Sequence, residues 1–144
     1  MCCDSIKKDT IKLKNHPMEN FSFNQQLDVD FLQSLYEDDY EYAQQVFGNF
    51  LIETNKELAL LKEFEFQNDQ KKFRAHLHKI KPTFSLVGVS SLTQFSETVI
   101  SQCDNPEKNI FLEPCYHDWN TEVSRWMPII EEEYKRLQNH IIQL

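Results

Sequence analysis

The 144 residues carry 15 Lys and Arg against 23 Asp and Glu. The resulting formal charge of -8 argues against a general nucleic-acid binder, because neutralising phosphates needs a basic surface. Only two glycines, Gly48 and Gly88, are present, which leaves nothing from which to build the phosphate-cradling loop of an ATP or NAD enzyme.

The length suits one domain. No apolar run approaches the ~20 residues of a membrane span, and the opening MCCDSIKK lacks the apolar stretch of a signal peptide. A cytoplasmic protein with no membrane partner is expected. Cys2, Cys3, Cys103 and Cys115 form no C-x-x-C pair and no regular framework, so reduced structural thiols are expected. A zinc site drawn from Cys103, Cys115 and His117 would lack the usual close pair of thiolates.

Residues 1–26 are polar, with Pro17 and no sustained apolar period, and read as a flexible N-terminal arm. Residues 27–144 read as the domain, with apolar positions at helical spacing. Asp28 or Asp30 can cap a short helix carrying Phe31, Leu32 and Leu35. The acidic cluster Glu37, Asp38 and Asp39 opens a long second helix with the seam Ala43, Phe47, Phe50, Thr54, Leu58 and Leu61. Asn68 and Asp69 start a third, with Phe73, Leu77, Ile80, Phe84 and Val87 stepping four, three, four, three. Gly88 ends it. Ser90 or Ser91 can cap a fourth helix bearing Leu92, Phe95 and Val99, closed by a turn at Asp104, Asn105 and Pro106. After a looser connection, the last helix holds Trp119, Val123, Trp126, Ile130, Tyr134 and Leu137, with a kink expected at Pro128. The pattern predicts an all-α protein: an antiparallel four-helix bundle with a short extra N-terminal helix.

The chain has no Glu-x-x-His pair for a di-iron centre, no Gly-x-Ser-x-Gly elbow and no His-Glu-x-x-His helix. What stands out is Lys71 to Pro82, KKFRAHLHKIKP, with five cationic side chains and two histidines in an acidic protein. On a helix, His76 falls roughly 60° from the centre of the apolar seam and His78 roughly 140° away. His78 therefore faces solvent, and Lys71, Arg74, His78 and Lys81 form one cationic stripe. A neutral imidazole is nucleophilic near pH 7, and a neighbouring ammonium can stabilise charge on an incoming phosphoryl group. The plain alternative is a solvated helix face with an incidental histidine.

The stretch Ala75 to Leu92, AHLHKIKPTFSLVGVSSL, resembles the signature of histidine phosphotransfer (HPt) domains. That signature places a hydrophobic residue, Lys and a small residue at the second, third and fourth positions after its histidine, and Gly at the tenth. Here these are Ile80, Lys81, Pro82 and Gly88, counted from His78. The resemblance implies a monomeric carrier without kinase activity of its own. It would take a phosphoryl group onto His78 from an aspartyl phosphate on a response-regulator receiver domain and pass it to another receiver aspartate. Lys81 would stabilise the phosphoryl group, and Lys71, Arg74, Pro82 and Ser85 would meet the partner. The carrier would need no cofactor of its own, since the receiver brings Mg²⁺. A hybrid histidine kinase and receivers would act in trans. Pro82 departs from the family's usual glycine, and Ile100 stands where some members carry a glutamine. A rival of another class is a helical scaffold or inhibitor that binds a receiver or kinase without being phosphorylated.

Overall fold

A computed structural model describes residues 21–104 and 111–143, so Cys2, Cys3, the first 20 residues of the expected arm and the turn residues Asn105 and Pro106 lie outside the described residues. The described residues form helices α1 (Val29–Tyr36), α2 (Tyr40–Phe66), α3 (Gln70–Ile80), α4 (Thr83–Leu86), α5 (Ser90–Gln102) and α6 (Leu112–Ile142).

The folded domain begins earlier than helical periodicity predicts. Phe21 and Phe23 are buried and meet edge to face at 5.1 Å. The Asn24 amide donates to Glu133 Oε2 at 2.8 Å, and Arg136, paired with Glu133, donates to the Ser22 carbonyl at 2.8 Å. Phe21 and Phe23 thus belong to the core rather than to an arm. The two phenylalanines flank Ser22 in a non-helical segment, a spacing to which a search for helical seams is blind.

Helix α1 buries Leu32 and Tyr36, four residues apart, and leaves Phe31 and Leu35 exposed. In α2, the Asp39 carboxylate accepts from the Tyr42 amide at 3.1 Å and caps the first turn. Its buried seam runs Ala43, Phe47, Phe50, Thr54, Glu57 and Leu61. Glu57 occupies the place the apolar pattern gives to Leu58, which is only half-buried. The Asp69 side chain caps α3 through the Lys72 amide at 3.2 Å.

The third helix does not continue to Val87 as predicted. Pro82 has no amide to offer the His78 carbonyl, so α3 stops at Ile80 and the chain turns into the four-residue α4. Thr83 Oγ1 donates to the Ile80 carbonyl at 2.6 Å across this break. Gly88 then takes a φ of 81°, a left-handed conformation that glycine adopts without a Cβ penalty.

Helix α5 is capped from a distance. Neither Ser90 nor Ser91 is its N-cap; that position falls to Val89, and the Ser90 amide donates to Asp28 Oδ2 at 2.9 Å. Helix α6 starts at Leu112, seven residues before Trp119, and spans 31 residues with Pro128 inside it. The stretch expected as a loose connection is therefore partly helical, and its first amide donates to Asn68 Oδ1 at 3.1 Å.

Helix α2 packs on α6 and α3, α3 on α5, and α5 on α6, which closes a ring of four around one core. Cross-contacts fix the directions. Tyr40 meets His140 and Gln44 meets Tyr134; Glu57 meets His76 and Phe50 meets Phe84; Gln70 meets the Cys103 carbonyl and Lys81 meets Glu97. In each pair one number rises as the other falls, so neighbouring helices run antiparallel. Trp119 sits at the centre, and its indole N–H is satisfied by Ser96 Oγ at 2.8 Å, which removes the desolvation cost of burying that donor. Among the described residues, no helix is long and apolar enough to cross a membrane.

Candidate functional site

The Asp69 cap fixes where α3 starts, and burial of Phe73, Leu77 and Ile80 fixes its rotation. His78 is thereby turned to solvent, and it makes no hydrogen bond or ion pair with another described residue. His76 lies differently. Its Nδ1 stands 2.9 Å from Glu57 Oε1, and its ring centroid lies 5.0 Å from that of Phe64. Of the two histidines in AHLH, one is tied to the α2–α3 interface and the other is open.

Each flank of His78 carries ion pairs. Toward α2, Lys79 Nζ donates to Glu57 Oε2 at 3.0 Å, so the buried carboxylate holds both His76 and Lys79. Burial alone would raise the Glu57 pKa, but the hydrogen bonds and charges of His76 and Lys79 outweigh it and hold the group below its ordinary 4.5. Toward α5, Arg74 pairs with Asp104 and Lys81 with Glu97. Lys71 is exposed and, among the described residues, has no carboxylate partner. The expected cationic stripe is therefore real in placement, but two of its cations are matched, Lys81 by Glu97 on α5 and Arg74 by Asp104 just beyond the end of α5.

Pro82 is exposed one turn beyond His78, and Ser85 is half-buried with its Oγ 3.4 Å from Thr93 Oγ1. Ile100 is buried in the core. Gln102 accepts from Cys115 Sγ at 3.1 Å and so is engaged with α6. Exposed apolar side chains lie on two other elements: Leu86 on α4, and Leu35 and Phe31 on α1, whose Tyr36 hydroxyl donates to the Leu86 carbonyl at 2.7 Å. A largely apolar cavity of about 330 Å³ opens between α2 and the α3–α4 corner, lined by Val46, Phe50, Thr54, Ile80, Thr83 and Leu86 among others.

Burial, with a smaller contribution from the neighbouring Cys115, pushes the Cys103 thiol up to about 11. Such a thiol stays protonated and is a poor nucleophile or metal ligand at neutral pH. Among the described residues, no group of three His, Cys, Asp or Glu side chains is placed to hold a metal ion. Sequence reasoning missed Glu57 and Glu97. The first is hidden by its apolar neighbours in the seam. The second stands nineteen residues after His78, and only the α3–α5 packing brings it to Lys81. In comparisons with known proteins, the chain matches no family model, no curated protein and no solved structure.

Proposed function

We propose that the protein is a phosphorelay carrier of the histidine phosphotransfer type. His78 takes a phosphoryl group from the aspartyl phosphate of one receiver domain and yields it to the aspartate of another. The observation that carries this reading is the contrast within AHLH: an open imidazole at His78, one turn from the ammonium of Lys81, beside a His76 already bound by Glu57. The antiparallel helical bundle, the short α1 and the left-handed Gly88 agree with the resemblance of Ala75 to Leu92 to the HPt signature.

The chemistry asks little of the carrier. The neutral imidazole attacks phosphorus with a ring-nitrogen lone pair; the N–P bond forms as the aspartyl O–P bond breaks, and the carboxylate leaves with the electron pair. Phosphoryl transfer is governed by positioning and charge stabilisation rather than by covalent chemistry of the protein. The receiver supplies Mg²⁺, Lys81 stabilises the equatorial oxygens, and the compact ring of Pro82 leaves room one turn above the imidazole. The exposed Leu86, Leu35 and Phe31 offer the apolar contact area, with Ser85, Lys71 and Arg74 around it.

Incubation with a panel of phosphorylated receivers tests this directly. An acid-labile phosphate should appear on wild type and on His76→Gln, and be absent from His78→Gln. Label retained in His78→Gln overturns the assignment, and receiver binding without any label indicates a non-phosphorylated scaffold.

A further inference from the structure

Two ion pairs link α3 and its C-cap to α5 and the residue just beyond it, and in sequence their cations bracket His78. On the α3 side, Arg74, His78 and Lys81 are spaced four and three; on the facing side, Glu97, Ser101 and Asp104 are spaced four and three. Glu97 and Ser101, four apart, share one face of α5, and Asp104 follows just beyond the helix end. Arg74 meets Asp104, Lys81 meets Glu97, and the two central positions are His78 and the exposed Ser101. The Lys81 side chain is only 22% exposed whereas that of Glu97 is 56% exposed. The lysine stem is thus held against the protein and its ammonium is displayed on the α5 side of His78. The other flank, toward α2, is occupied by the Glu57, His76 and Lys79 cluster and the apolar cavity.

We infer that Glu97 is a positioning residue for phosphoryl transfer, holding the Lys81 ammonium on the α5 side of His78 and offsetting its charge until the phosphoryl group arrives. This inference rests on the reading of His78 as the phosphoacceptor. A phosphoryl group brings about two negative charges against the single charge of the Glu97 carboxylate, so Lys81 turns toward it. Glu97 competes with the phosphoryl group for that ammonium, which weakens its hold on the phosphohistidine and favours delivery to the next aspartate. The same carboxylate therefore moderates acceptance and promotes release. The pair itself adds little to folding, as expected of an ion pair with an exposed partner.

Phosphoramidate gives a test that needs no cognate partner. Its zwitterion releases ammonia as the P–N bond breaks and the His78 N–P bond forms. Glu97→Gln keeps an acceptor for Lys81 but removes the charge. Labelling of His78 should rise about threefold and loss of phosphate from His78 should slow by a similar factor, the scale of an exposed charge pair. Lys81→Ala should slow labelling about ten- to a hundredfold, as loss of a charge-assisted contact does. In the Lys81→Ala background the gain from Glu97→Gln should disappear, since Glu97 acts through Lys81. Unchanged rates in Glu97→Gln, or a full gain without Lys81, overturn the inference. If wild type accepts no phosphate, the carrier reading falls. If wild type is labelled and only the Glu97→Gln rates are unmoved, the carrier reading stands and the role of Glu97 falls.

Discussion

At the scale of single residues, one buried carboxylate decides which imidazole is available. Glu57 is 5% exposed and binds His76 at 2.9 Å and Lys79 at 3.0 Å. Its native pKa lies below the ordinary 4.5, because its two cationic partners outweigh burial. The linkage sign follows: a carboxylate with a depressed native pKa contributes stability that is fully present above its unfolded pKa and lost as pH falls through the native one. Thermal unfolding of wild type between pH 6 and pH 3 should therefore show a steeper loss of Tm below about pH 4.5 than unfolding of Glu57→Gln. Parallel curves would show that the contact does not favour the ionised carboxylate. Glu57→Gln should also be less stable at pH 7, by about 1 kcal/mol, the net worth of a typical hydrogen bond. The role of Glu57 was not legible in the sequence. A seam stepping three and four admits position 57 or 58, and hydropathy selects Leu58. The exposure of His78 was legible because it follows from helical phase.

At the scale of elements, the break after α3 and the cross-linked turn around Gly88 hold the site in place. Gly88 has φ 81°, its carbonyl accepts from the Asp28 amide at 2.9 Å, and the Asp28 carboxylate caps α5 through Ser90. A Cβ on Gly88 would stand 2.7 Å from Leu32 Cδ1, 3.0 Å from Leu27 Cβ and 3.2 Å from the Asp28 amide nitrogen. Gly88→Ala should thus cost about 2–4 kcal/mol, combining left-handed strain with overpacking. Urea unfolding should show this as a lower midpoint at unchanged slope, and a midpoint equal to wild type would refute the account. Local caps such as Asp39 and Asp69 could be read from the chain because donor and acceptor lie three residues apart. The Asp28 cap could not, since its partner is sixty-two residues away. Helix α6 begins ahead of its apolar seam and carries Pro114 in its first turn. In the first turn of a helix, proline lacks only an amide that would have had no partner within the helix.

At the scale of the whole molecule, the proposed carrier role would have a chain of net charge -8 meet an acidic receiver cleft through a local exception to its own field. Lys71, Lys72, Arg74, Lys79 and Lys81 supply that exception on α3 and its C-cap, but Arg74, Lys79 and Lys81 already face Asp104, Glu57 and Glu97. Paired charges act as short dipoles, and exposed charges are screened over ~8 Å at physiological salt. Steering by this face should be correspondingly weak and should affect the rate of encounter more than the final affinity. The association rate with a cognate receiver is expected to fall about tenfold between low and high salt, the bottom of the range for steered association. Lys71 has no acidic partner among the described residues, and the Arg74 charge is only locally matched. Lys71→Glu combined with Arg74→Glu should therefore flatten or invert the salt dependence, and the helical circular dichroism should stay unchanged because neither side chain is buried. Stopped-flow mixing across a salt series separates the cases. A common slope for both proteins would mean that the cations of α3 serve the α2 and α5 interfaces alone, and that the receiver is guided by the apolar surface of Phe31, Leu35 and Leu86.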